Sequence, residues 1–193
     1  MNVRFVLGTL LGALVLFVWG FVYYAALPFG QKVMGAVPDD LAASTAVLGK
    51  TGVYYYPFMG EEAMGDPAAA EAWAARHRRG PLLFITYRAE GSDPMAPRMF
   101  VQGFLHFWLS TALAGLLLAL AAPATYGARA LFLFLAGLFA AVAVGLSPAI
   151  WWYQPWSFTL YQAIFPASGW LLAALAMAAI VKPRPLIAGA RPA

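Results

Sequence analysis

Four long stretches of this chain have no Asp, Glu, Lys or Arg in their interiors: residues 5–27, 99–122, 130–150 and 163–181. At about 1.5 Å of rise per helical residue, each is long enough to cross a hydrocarbon layer of roughly 30 Å. In lipid a backbone has no water to bond, so a continuous helix is the economical solution for such a run. Composition agrees. Charged residues make up 10% of the chain and apolar ones 63%, against about 25% and 45–50% in ordinary soluble domains. A soluble globular enzyme and a disordered chain are both excluded on that ground.

Charge then orients the spans. All eight acidic residues lie between Asp39 and Asp93. Outside the first connection the basic residues are Arg4, Arg129, Lys182, Arg184 and Arg191. They fall at the N-terminus, in the connection after the second run, and in the tail, which puts both termini and that connection in the cytoplasm. The connection after the first run, about 28–98, is then outside. Its seven Lys and Arg do not oppose this, because long loops cross largely regardless of charge. The first run exceeds the apolar core of about 7–15 residues of a cleaved signal and reads as a retained anchor. The expected division is helix 1 within 1–27, an outer cap over 28–98, helices 2 and 3 over 99–122 and 130–150, an aromatic outer connection at 151–162, helix 4 over 163–182, and a cytoplasmic tail, 183–193. Residues 123–127 are rich in breakers and read as a turn. Pro166 reads either as the first turn of helix 4 or as a kink in a longer helix.

The cap has its own order. Asp39-Asp40 after Pro38 opens a short helix that Gly49 can close. Gly52 to Pro57, with Tyr54, Tyr55 and Tyr56, reads as a strand, and so does 82–88. Between them Asp66-Pro67 is an N-cap with proline at the first helical position, and Gly80-Pro81 ends the helix. So few residues rarely bury enough to be stable alone. With no cysteine in the chain there is no disulfide to help, so the cap is expected to lean on the helices, the membrane surface or another subunit.

The absence of ionisable groups inside the spans argues against ion-coupled transport and proton pumping. It also removes a retinal Schiff base, which needs a membrane lysine. No inverted repeat is visible, no basic stripe follows nucleic acid, and thiolate metal and iron–sulfur sites need cysteine. His106 is the ionisable candidate in a span, sharing a helix face with Gly103 and Ser110. It could ligate a haem or chlorin with Trp108 nearby, or simply make an interhelical hydrogen bond. The sequence itself requires no cofactor. Glu61, Glu62 and Asp66 match no metal loop and read as a solvated turn. His77, Arg78 and Arg79 with Arg76 form a basic helix end that suits the dipole and could also meet lipid headgroups or an acidic partner.

Packing motifs are clearer. Gly8, Gly12 and Gly20 line one face of helix 1, Gly137, Ala141 and Gly145 one face of helix 3, and Gly169 and Ala173 one face of helix 4. Small residues at this spacing let helices approach closely, within one chain or between chains. Trp151, Trp152 and Trp156 suit an interfacial aromatic belt or a docking face. Side chains alternate on a strand, so Tyr54 and Tyr56 cannot share a side with Tyr55. At least one of the three therefore faces away from the cap's interior.

The segments Phe17-Val-Trp-Gly20, Thr51-Gly-Val-Tyr-Tyr-Tyr-Pro57 and Gly80-Pro-Leu-Leu-Phe84 resemble those of small, uncharacterised bacterial four-helix membrane proteins. That resemblance implies the architecture and a bacterial inner-membrane setting, and it brings no activity. The layout also resembles that of claudins, whose cysteine pair is missing here. The expected fold is therefore mainly α, an integral membrane four-helix bundle with a small extracytoplasmic α/β cap between helices 1 and 2. The expected role is a non-catalytic accessory subunit of a larger membrane complex, respiratory or photosynthetic for example, with membrane lipids and other membrane subunits as partners. An alternative is binding of a quinone, lipid or pigment among the helices. A third is an enzyme at the outer surface built on His77, Arg78 and the Glu61/Glu62 group.

Overall fold

The computed structural model describes residues 3–182, apart from the side chains of Glu62 and Ala63. The tail with Arg184 and Arg191 lies outside the described residues. In chain order the elements are α1 (Val3–Phe21), which continues as a π-helical turn (Val22–Ala26), α2 (Phe29–Val33), and α3 (Asp39–Ser44) followed by a 3₁₀ turn (Thr45–Leu48). Then come β1 (Gly52–Tyr56), α4 (Glu61–Gly65), α5 (Pro67–Arg79), β2 (Leu83–Tyr87), α6 (Pro97–Ala121), α7 (Tyr126–Gly145), α8 (Ser147–Trp151) and α9 (Trp156–Ile180). Four helical stretches, Val3–Ala26, Pro97–Ala121, Tyr126–Trp151 and Trp156–Ile180, are long and apolar enough to cross a membrane.

Helix ends differ from the apolar runs where a cap or a buried face outweighs hydropathy. α7 begins at Tyr126, inside the expected turn, because the Thr125 hydroxyl accepts from the Ala128 amide at 3.1 Å and supplies a first-turn acceptor. It stops at Gly145, and Pro148 sits in the first turn of the short α8, where a missing N–H costs nothing. α9 begins at Trp156, so most of the expected aromatic connection at 151–162 is helix. Thr159, Tyr161 and Ala163 on it are buried, which is the packing reason. Pro166 is therefore interior to a longer helix, where it removes the N–H that would bond the Gln162 carbonyl.

The chain forms two compact units. The first comprises the described residues of Met1–Gly35, Pro94–Trp151 and Pro155–Ala193, the second Ala36–Asp93 with Trp152–Gln154. In the first unit α9 packs along α1 and α7, and α6 along α1. The contacts run through small residues. Gly8 and Gly12 of α1 face Val181 and Met177, Gly137 of α7 faces Trp170, Gly145 faces Ala163, and Gly169 faces Leu16 and Trp19. Leu16, Leu118, Leu133, Ala173, Ala174, Met177 and Ala178 are closed off completely or nearly so. Larger apolar side chains point outward, with Phe139 74% and Val144 72% exposed. Hydrogen bonds tie the helices as well. The Thr111 hydroxyl donates to the Thr9 carbonyl at 2.8 Å, and the Trp19 indole to the Ser168 hydroxyl at 3.0 Å.

Arg129, expected as a cytoplasmic charge, is only 9% exposed. Its Nε donates to the Ala178 carbonyl at 3.1 Å and its Nη1 to the Ala124 carbonyl at 2.8 Å. Ala178 lies in the last turn of α9, whose carbonyls lack intrahelical donors and whose dipole end favours a cation.

In the second unit β1 and β2 pair antiparallel, with Gly52 opposite Tyr87, Tyr54 opposite Ile85 and Tyr56 opposite Leu83. Asp66 caps α5, its Oδ1 accepting from the Ala68 amide at 2.9 Å. Gly80 ends the helix at φ +68°, a conformation glycine adopts without a Cβ penalty. The acidic segment expected as a turn is the short helix α4. The interior of this unit is thin: from Ala36 to Asp93, Pro57 is the one described residue that is fully buried.

Candidate functional site: an aromatic cleft beside the first helix

Phe17 and Phe21 of α1, at i and i+4, share one face, and Tyr24 of the π-helical turn that continues it borders the same space. On α6 Phe100, Gly103 and Phe107, spaced i, i+3 and i+7, also share one face. Where these faces meet, with Phe165 of α9, they enclose a cleft of about 410 Å³, also lined by Val18, Gly20 and Met99. Glycine makes the hollow: a Cβ on Gly20 would come no nearer than 3.6 Å to Phe165, and one on Gly103 3.8 Å to Phe17. The walls are held by ring contacts. Phe17 meets Phe104 edge-on at 6.0 Å between centroids, Phe107 lies 6.3 Å from Phe165, and Tyr24 lies 4.9 Å from Phe165.

The π-helical turn sets one end of the cleft. Its wider winding brings both Tyr23 and Tyr24 onto α9, where each ring contacts Tyr161 and Phe165. The Tyr23 hydroxyl donates to the Tyr161 carbonyl at 2.9 Å, and the Tyr24 hydroxyl to Gln162 Oε1 at 3.3 Å. Such turns often mark functional positions in helices. No charged residue lines the cleft, its lining surface is almost wholly apolar, and Tyr24 is the one lining residue with a polar side-chain group. The arrangement can hold an apolar body. It offers no nucleophile, base or metal-ligand set. Among the described residues no three His, Asp or Glu side chains cluster as metal ligands would.

The residues singled out by sequence are distributed otherwise. His106 is exposed, its ring touching Phe107 at 5.1 Å, and the Ser110 hydroxyl bonds the His106 carbonyl rather than the ring. Trp108 points to α1, its indole donating to the Thr9 hydroxyl at 3.4 Å. Neither lines the cleft. Of the expected partner faces, Gly8, Gly12, Gly137 and Ala141 are buried, and Gly145 is half-buried against Ala163. The chain's own helices fill the Gly8, Gly12, Gly137 and Gly145 positions. Gly20 borders the cleft. Trp151 and Trp156 are exposed.

In the second unit Trp152 and Tyr153 pack on the cap itself. Trp152 contacts Phe84 and Tyr55 at 5.4 and 5.9 Å, and Tyr153 contacts His77 at 5.0 Å. Tyr55 Oη lies 3.2 Å from His77 Nε2, and the Trp73 ring 5.1 Å from the same histidine. In this aromatic layer Tyr55, Trp73 and His77 are half-buried, while Phe84, Trp152 and Tyr153 remain exposed. Tyr54 bonds the Lys50 and Leu48 carbonyls, Tyr56 is exposed, Arg78 pairs with Glu71, and Arg79 is exposed. The cleft aromatics were missed in the sequence, although their stripes at 17, 21, 24 and 100, 103, 107 were readable there.

No protein-family model, no curated protein and no solved structure matches this chain.

Proposed function

We propose that this chain is a multi-pass protein of a bacterial inner membrane, with both termini cytoplasmic and residues 28–98 outside, and that it binds a lipid-soluble molecule without catalysing a reaction. The membrane reading is supported by the four apolar spans and by the arrangement of small residues inside with large apolar ones outside, which suits helices packed in lipid. The observation that carries the binding reading is the aromatic cleft of about 410 Å³. It falls within the size range of small-molecule sites and is nearly three times the ~150 Å³ cavity that holds a benzene.

The test is purification of the full chain in mild detergent, followed by organic extraction and mass analysis, for the wild type and Gly103→Leu. A hydrophobic compound near one per chain in the wild type, lost in the variant, is expected. Equal amounts in both would defeat the proposal.

A second reading, the accessory subunit, is supported by the cap. It has almost no interior of its own and exposes Val47, Val53, Phe58 and Met64, as a surface awaiting a partner would. Native mass spectrometry after gentle solubilisation is the check. Other subunits should stay bound, and a free monomer alone would count against it.

A further inference from the structure

The cleft's lining and the charge of Arg98, next in the chain to two lining residues, together select a ligand class, an inference that rests on the binding reading above. A quinone or pigment ring carries carbonyls or ring nitrogens that need donors once buried. The lining's side-chain donor is the Tyr24 hydroxyl, which already donates to Gln162. A hydrocarbon chain asks for no donor. Scaled from the ~150 Å³ cavity that holds the six carbons of a benzene, a cleft of about 410 Å³ accommodates most of one acyl chain but far from a whole lipid.

The headgroup is indicated by Arg98. It lies in the same first turn of α6 as Met99 and Phe100, both of which line the cleft. Arginine is out of place there for the helix itself, since a cation opposes the positive end of the dipole. The turn contains no acidic residue and no side-chain cap. Arg98 is exposed, and among the described residues it forms no ion pair. Its long stem can lie along the apolar wall while the guanidinium reaches the interface, and guanidinium matches phosphate in shape and charge.

We propose that the cleft holds one acyl chain of a glycerophospholipid whose phosphate is bound by Arg98. The experiment is native mass spectrometry of the full-length protein in detergent, titrated with dioleoyl phosphatidylglycerol and, separately, with dioleoylglycerol, which has the same chains and no phosphate. The variants are Arg98→Gln and Gly103→Leu, with circular dichroism to verify helix content. The wild type should retain the phospholipid over the diacylglycerol. Arg98→Gln should weaken phospholipid retention about tenfold, the weight of one charge-assisted hydrogen bond, and leave diacylglycerol retention unchanged. Added glycerol phosphate should not compete, because it lacks the chain. If Gly103→Leu abolishes retention of both lipids while Arg98→Gln alters neither, the headgroup assignment fails and the cleft survives. If Gly103→Leu alters neither, the cleft reading fails as well. Competition by glycerol phosphate would reassign the site to a free phosphate and overturn the proposal.

Discussion

Gly137→Ala is the sharpest test of the helix packing. A Cβ at Gly137 would fall against Cβ and Cγ of Trp170, closer than real Cβ atoms approach, and 2.7 Å from Cδ1. Those atoms are next to the α9 backbone and cannot swing aside as a side-chain tip could. Trp170 itself packs on the cluster of Leu133, Ala174 and Met177. Relief requires α7 and α9 to separate or the indole to leave its rotamer, and overpacking of this kind costs about 1–3 kcal/mol. Overlap this deep with atoms next to a backbone belongs in the upper part of that range, about 2–3 kcal/mol; alanine returns about 0.8–1 kcal/mol in helix propensity, so the net expectation is a loss of about 1–2 kcal/mol. Two other glycines calibrate it. At Gly127, in the same helix, nothing lies within 4 Å of an added Cβ, so Gly127→Ala should be neutral or gain up to about 1 kcal/mol. At Gly12 the neighbour is the flexible Met177, with Sδ at 2.6 Å, so the loss should be intermediate. At about 2–4 °C per kcal/mol for a chain of this size, thermal unfolding in detergent, followed by far-ultraviolet circular dichroism, should separate Gly137→Ala from Gly127→Ala by roughly 2–12 °C. If Gly137→Ala melts with or above the wild type, the α7–α9 packing described above is wrong.

Two further outcomes follow from particular contacts. Arg129→Gln breaks charge-assisted bonds at the end of α9 and should cost about 1.5–3 kcal/mol. Lys182→Gln, at an exposed position, should stay within about 0.5 kcal/mol, and equal unfolding of the two in a denaturing-detergent titration would remove the capping role. In the cap, the Thr51 hydroxyl donates to Glu90 at 2.7 Å and, with help from Glu90's own backbone amide and the Arg88 charge, holds the Glu90 carboxyl below its ordinary value. Because the folded value is the lower one, this contact supports the fold above the ordinary carboxylate range and is lost as pH falls through the depressed value. Carboxyl-detected NMR should show the Glu90 midpoint rising in Thr51→Val, and an unmoved midpoint would show that the hydroxyl is not its cause.

Several local features were legible because their causes are local. The Asp66-Pro67 start, the Gly80 stop and the Gly49 closure each depend on one or two residues and their own backbone. The start of α9 was not legible in this way. Its first turns, with Gln162 and several aromatics, read as an interfacial loop, and only the buried sites awaiting Thr159 and Tyr161 make them helix. The candidate site was half legible. Gly20 reads as a small packing residue and Gly103 as a face-mate of His106, but an aromatic stripe looks the same whether it faces lipid, a neighbour or a hollow.

The sequence by itself determined four apolar spans, their helical state, and the two strands and the helices α3 and α5 of the cap, while α4 read as a turn. Hydropathy, the need to satisfy backbone groups and residue-level caps act over short stretches and leave little choice. Tertiary structure alone decided which glycines would meet which side chains, that Trp152 would pack on the cap's sheet and Tyr153 on His77 of α5, that Arg129 would be buried on the end of α9, and that Gly20 and Gly103 would border a cleft. Each of these depends on the pairing of distant segments, and many pairings are compatible with the same apolar pattern. The choice among them comes from shape: which bulky ring fits over which small residue.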